Sequence, residues 1–233
     1  MSIKRPQFVK DEFYHIVNRG VEQRNIFLDD EDRLRFINSL LVFNDIKPAS
    51  WNLRGFWNMR NPESLIQNYK TEEPLVEIHA LTLMDNHFHF LLRQLVDNGI
   101  SEFMRKIGGY AYYFNKKYQR IGSLFQGRFK VNLIENENQL KNTFVYIHTN
   151  PVEIVEDKWK DFEVNNPEEA VRFIEQYRWS SYPDYISTEN FSNLLTKDFF
   201  LSLFGGKDDC KKEVEFWIKS KKDFNEFGNI ILE

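Results

Sequence analysis

The chain has 233 residues, 42% of them hydrophobic and 16% aromatic, which is enough apolar material for one sizeable core and argues against global disorder. A single cysteine, Cys210, excludes an intramolecular disulfide and any cysteine-based zinc site. The net charge of −4 is a weak argument against nucleic acid, but its distribution is uneven. Residues 101–131 carry Arg105, Lys106, Lys116, Lys117, Arg120, Arg128 and Lys130 against one acid, Glu102, so a basic stretch lies in an otherwise acidic chain. That pattern marks either a phosphate-binding face or a solvated helix face. The first residues, Met1-Ser2-Ile3-Lys4-Arg5-Pro6, lack the apolar core of a signal peptide. No run approaches the ~18 apolar residues of a membrane span. A cytoplasmic protein is expected.

In chain order, Phe13 to Asn18 reads as a first strand broken by Gly20. Asp29-Asp30-Glu31-Asp32 places acids at a helix start, and Leu34, Ile37 and Leu41 continue it at helical spacing. Residues 44–74, with three prolines and two tryptophans, read as an insertion. Leu75–Leu83 and His87–Gln94 form a hairpin across the turn signal Asp85-Asn86. Ile100–Gln119 is expected to be one helix ended by Gly122, and Leu124–Ile134 a strand with Gly127 as a bulge. Asn136 is an N-cap with Gln139 at the capping-box position, opening a helix to Thr149 whose buried stripe is Leu140, Phe144 and Ile147. Tyr146 lies off that stripe, one turn from both Asn142 and Asn150. Pro151 should close the helix and bias Asn150 away from helical backbone.

The order strand, helix, hairpin, helix, strand, helix predicts an α+β fold, a ferredoxin-like antiparallel sheet covered by helices on one face. Residues 1–155 would form this domain. Residues 156–233 form an acidic, mostly helical extension with pieces at 168–177 and 210–219.

Alternation within a strand sends His87 and His89 to one face and Phe88 and Phe90 to the other. Two imidazoles at that spacing can grip one divalent ion, and a tyrosine brought by a separate helix could attack a phosphate held there. Mg²⁺ or Mn²⁺ suits so open a site, and imidazole favours Mn²⁺. His15 and His79 read as structural, with His79 a candidate support for the site. His148 should face away from Tyr146. The aromatics between Tyr110 and Phe129 alternate with the basic residues, a pattern suited to stacking unpaired bases and tracking a backbone, although several should be core.

Several motifs carry a resemblance: Tyr14-His15-Ile16-Val17-Asn18-Arg19-Gly20, Met84-Asp85-Asn86-His87-Phe88-His89-Phe90-Leu91, Tyr113 to Lys130, Tyr146-Ile147-His148-Thr149-Asn150-Pro151-Val152, and more weakly Trp179-Ser180-Ser181-Tyr182. Over residues 10–185 the chain resembles the single-tyrosine transposases of the HUH superfamily (His, hydrophobic residue, His), in particular the REP-associated branch. The resemblance implies metal-dependent nicking and rejoining of single-stranded or hairpin DNA through a 5′-phosphotyrosine. It makes Tyr146 the nucleophile and His87 and His89 metal ligands. Asn150 matches a polar residue that completes the metal site and is often Gln in the insertion-sequence branch. Being one methylene shorter, it is either the third ligand or a group that positions Tyr146 or a metal-bound water. Arg128 and Lys130 are the first candidates for DNA contact, followed by Lys116, Lys117 and Arg120. The resemblance allows a monomer acting in cis or a homodimer that exchanges the tyrosine helix, and the short link from Ile134 to that helix favours cis. The alternative is a domesticated DNA- or RNA-binding protein of the same fold without catalysis; a hydrolase using water is a third reading.

Overall fold

The computed structural model describes residues 6–47, 71–161 and 163–220. Most of the expected 44–74 insertion lies outside them.

The first strand, β1 (Phe13–Arg19), leads through a tight turn to α1 (Asp30–Phe43). Asp29 caps α1 by accepting from the Asp32 backbone N–H at 2.8 Å, and the acids of the first turn suit the helix dipole. Leu34, Ile37 and Leu41 are buried as their spacing predicts. β2 (Val76–Leu83) and β3 (His87–Gln94) form the expected hairpin.

The single helix expected over 100–119 is two helices, α2 (Gly99–Ile107) and α3 (Tyr110–Lys117). Gly108 and Gly109 separate them. The 4, 3, 4 spacing of Phe103, Ile107, Tyr110 and Phe114 runs through both pieces, so periodicity alone cannot reveal the break. The expected strand over 124–134 shrinks to β4 (Lys130–Leu133). Gly127, at φ +145°, turns the chain away from β1, leaving only a bridge between Gly20 and Phe125 beyond the turn.

All neighbouring strands pair antiparallel in the order β2-β3-β1-β4. β1 reaches β2, two positions away, through α1, and β3 reaches β4 through α2 and α3. These two split crossovers make the sheet ferredoxin-like, as expected. One face carries Ile16, Phe88, Phe90 and Leu92 against α1, α2 and α3.

The other face is covered as well, contrary to the one-sided plan. It takes α4 (Glu137–Thr149) and, behind it, the extension: α5 (Pro167–Gln176), α6 (Tyr182–Ile186), α7 (Asp198–Phe204) and α8 (Lys207–Lys219). Ala80 and Leu91 of the sheet, Phe144 and Ile147 of α4, and Tyr185, Phe200 and Val214 of the extension share one core. Phe144 stacks on Phe200 at 4.5 Å. Each such aromatic burial removes ~150–250 Å² from water, which makes the extension a structural support for α4. The extension also closes the open edge of β2. The Leu83 N–H donates to the Trp179 carbonyl at 2.8 Å, and the Ser181 N–H donates to the Leu81 carbonyl at 3.0 Å.

Candidate functional site

β3 presents His87 and His89 on the face that α4 crosses. Both are buried, 2% and 0% exposed, with ring centroids 5.0 Å apart. The side chain of His87 is held at both ends. Its Nδ1 lies 2.6 Å from Asn86 Oδ1, and its Nε2 lies 3.3 Å from Asn150 Oδ1.

Tyr146 comes from the last turn of α4. The Asn136 side chain accepts from the Gln139 N–H at 2.9 Å, starting the helix where the sequence places it. Thr82 on β2 donates to the Ile147 carbonyl at 2.7 Å, pinning the helix to the sheet beside Tyr146. The half-buried Tyr146 ring stands 5.5 Å from the His89 ring and 5.9 Å from that of His15, edge-on to both.

Asn150 is helical, at φ −53° and ψ −38°, against the bias that the following Pro151 imposes. The chain passes into a short 3₁₀ turn, Asn150–Ile154, in whose first positions Pro151 has no N–H to satisfy. Because the backbone stays helical, Asn150 sits one turn above Tyr146 on the same face, and its Nδ2 is 3.5 Å from Tyr146 Oη. The amide thus spans the gap between the tyrosine hydroxyl and His87.

His15 belongs to this cluster, although its sequence context reads as structural. Its Nε2 is 3.0 Å from His89 Nδ1, with the rings stacked at 25°. The β1–β3 register, Val17 opposite His89, could not be read before the pairing was known. Its one sequence signal is alternation, since His15, Val17 and Arg19 share a strand face. His79 is instead structural. Its Nδ1 meets the Thr196 carbonyl at 2.9 Å and its Nε2 meets Glu77 at 3.3 Å. His148 faces away from Tyr146 as expected. It is fully buried against Ser181 Oγ at 2.7 Å, and burial pushes its pKa down to about 3.

The donor chemistry fits a divalent ion. His87 Nε2 and Asn150 Oδ1 face each other at 3.3 Å, and bonds of ~2.1 Å at right angles would place neighbouring ligand atoms ~3 Å apart. His89 is the adjoining imidazole. Among the described residues no group of three His, Cys, Asp or Glu could hold a metal, so this site needs the amide or non-protein oxygens to complete it.

The sheet register carries the site outward. Lys130 pairs with Val17, and Val17 with His89, so Lys130 shares the histidine face two strand spacings away, ~10 Å. Arg19 pairs directly with His87. Arg19, Arg128 and Lys130, with Asn18 and Gln126, line a cleft of about 300 Å³. Arg19 escaped the sequence reading because it lies outside the basic stretch.

Lys116 is exposed on α3. Arg120 stays partly open while it donates to Asn115 Oδ1 at 3.0 Å and covers the Phe114 ring. Lys117 is a correction to the expected DNA set. Its amine lies 2.9 Å from Asp29 and Asp32 and 3.0 Å from Glu31, so its charge is spent on the acids that start α1. Burial opposes its charged form, but these carboxylates outweigh it and raise the pKa.

Two comparisons bear on this arrangement. Residues 58–150 match the family model described as IS200-like transposase, a span that holds both histidines of β3, Tyr146 and Asn150. The family likeness read from the motifs is thereby borne out. A solved structure of a REP-associated tyrosine transposase bound to a REP hairpin matches with a TM-score of 0.50 at 15% identity, over 85% of this chain and 93% of that one. At that identity the likeness speaks for the fold. No curated protein matches.

Proposed function

We propose that this chain is a transposase of the single-tyrosine type, cutting and rejoining single-stranded DNA at hairpin-forming repeats. The observation that carries the reading is the convergence of Tyr146, His87, His89 and Asn150 on one face, within the segment that matches the IS200-like transposase family.

Tyr146 is the nucleophile. Its oxygen bonds to phosphorus as the bond to the 3′ oxygen breaks. The phenol loses its proton, the leaving oxygen gains one, and the products are a 5′-phosphotyrosine and a free 3′-hydroxyl. Attack by another 3′-hydroxyl reverses the step and joins strands without ATP.

His87, His89 and Asn150 would hold Mg²⁺ or Mn²⁺. Such an ion would polarise the phosphate and offset charge growing on its oxygens. Asn150 has a second part to play, since its Nδ2 faces the Tyr146 oxygen and can steady it for in-line attack. Arg19, Arg128 and Lys130 continue the site along the sheet and would take the phosphates of the strand leaving it, with Lys116 and Arg120 further out. The short link from Ile134 to α4 favours a monomer acting in cis over a homodimer that exchanges helices. Among the described residues no helix is long and apolar enough to cross a membrane.

The test is incubation of the full chain with Mg²⁺ or Mn²⁺ and end-labelled hairpin DNAs, followed by a denaturing gel. A slow-migrating adduct that needs metal and disappears in Tyr146→Phe supports the reading. Cleavage without an adduct points to hydrolysis by water. Binding without cleavage points to a domesticated binder.

A further inference from the structure

Resting on the metal reading of His87, we propose that Asn86 is a positioning residue that fixes the ring tautomer of His87, and that the turn after β1 exists to orient Asn86.

A neutral imidazole carries one proton, and only the nitrogen without it can take a metal. Which nitrogen is free depends on what the other one bonds. His87 Nδ1 lies 2.6 Å from Asn86 Oδ1. Both facing amide oxygens, Asn86 Oδ1 and Asn150 Oδ1, can only accept, so a neutral ring can satisfy one of them. The shorter contact, 2.6 Å against 3.3 Å, places the proton on Nδ1 and leaves Nε2 with the lone pair toward Asn150, where a bound cation would sit between two acceptors.

The fold determines which way the Asn86 amide points. Asn86 Nδ2 donates to the Gln23 carbonyl at 3.2 Å. Reversing the amide would set two oxygens against each other there.

Gln23 is itself held in an uncommon shape. Glu22 and Gln23 both adopt left-handed backbone, at φ 55° and 57°, which side chains other than glycine seldom do. The turn closes tightly enough that a Cβ on Gly20 would stand 2.1 Å from the Arg24 carbonyl oxygen. Three more backbone bonds clasp this turn to the β2–β3 corner: Gly20 N–H to the Asn86 carbonyl at 2.8 Å, and Ile26 and Phe27 N–H to the Asp85 carbonyl at 2.7 and 3.1 Å. Arg33 pairs with the Asp85 side chain from α1. Residues 20–27 therefore hold a corner whose one side chain directed at the site is Asn86. Such strained backbone is retained where the surroundings over-determine it.

The direct test reads the tautomer without metal or DNA. Long-range ¹H–¹⁵N correlation spectra of ¹⁵N-histidine-labelled protein above pH 8 separate the two neutral forms, with His87 assigned by its loss in His87→Gln. The expectation is protonation at Nδ1 in the native chain, and a shift toward protonation at Nε2 in Asn86→Ala. Mn²⁺ binding, followed by the paramagnetic signal of the free ion, should weaken by about 10–100-fold in Asn86→Ala. Asn86→Asp keeps the acceptor and should keep the Nδ1 proton. That variant also guards against misreading a folding defect, because it loses the same Gln23 contact. Native His87 protonated at Nε2, or an unchanged tautomer in Asn86→Ala, would overturn the proposal. A native chain that shows the expected tautomer yet binds no Mn²⁺ would instead count against the metal reading.

Discussion

His15 Nε2 and His89 Nδ1 stand 3.0 Å apart across the β1–β3 pair, with their rings stacked and the Tyr146 ring edge-on to both. The contact ties the first strand to the sheet face where His87, His89 and Tyr146 meet. If His89 ligates through Nε2, its Nδ1 is the nitrogen that His15 steadies, the relation that outer partners commonly have to metal-bound imidazoles.

Replacing His15 with Phe should therefore weaken Mn²⁺ binding by about 10–100-fold. His79→Gln, which disturbs the Thr196 and Glu77 contacts and the packing on Phe13, Phe199 and Phe200, should leave it unchanged. Calorimetric titration of the three proteins checks this. Equal affinity in His15→Phe and the native chain would remove His15 from the site.

The two kinds of lysine on the basic stretch should separate cleanly. Lys117→Met leaves the fully buried Asp32 without its cation and should cost about 2–3 kcal/mol in urea unfolding, with little change in DNA affinity. Arg128→Ala and Lys130→Ala should leave stability within about 0.5 kcal/mol. Each should flatten the dependence of log affinity for single-stranded DNA on log salt by about 0.7. Fluorescence anisotropy at several salt concentrations gives that slope.

His148 makes stability depend on pH. Its folded pKa of about 3 lies below the ordinary 6.5, so between those values the unfolded chain binds a proton that the folded chain refuses. Stability is then full above about pH 6.5 and falls as pH drops toward 3, by up to about 1.4 kcal/mol per unit from this group. A His148→Phe variant should show a shallower fall between pH 6.5 and 4.5 than the native chain. Parallel slopes in urea titrations would contradict the assignment.

Much of this was legible in the chain, for local reasons. The His87 and His89 pairing follows from strand alternation, and the Tyr146 helix from the Asn136 cap and the Leu140, Phe144, Ile147 stripe. What escaped depends on relations distant in sequence. His15 joins the site only because β1 pairs with β3 in one register, and Arg19 joins the basic cleft for the same reason. The break at Gly108-Gly109 was masked by a hydrophobic period that runs through it. The role of Trp179-Ser180-Ser181 as an edge partner of β2 needs contacts across about a hundred residues, which no local pattern records.

The central claim is that Tyr146 becomes covalently joined to DNA. Cleavage after Lys141 and Lys158 releases residues 142–158, a peptide with Tyr146 as its only tyrosine. The decisive measurement is mass spectrometry of that peptide after reaction with hairpin DNA and Mn²⁺ and nuclease trimming. The expected result is a gain equal to a 5′-linked nucleotide phosphate on Tyr146. An adduct on another residue, or DNA cut while this peptide stays unmodified, would contradict it.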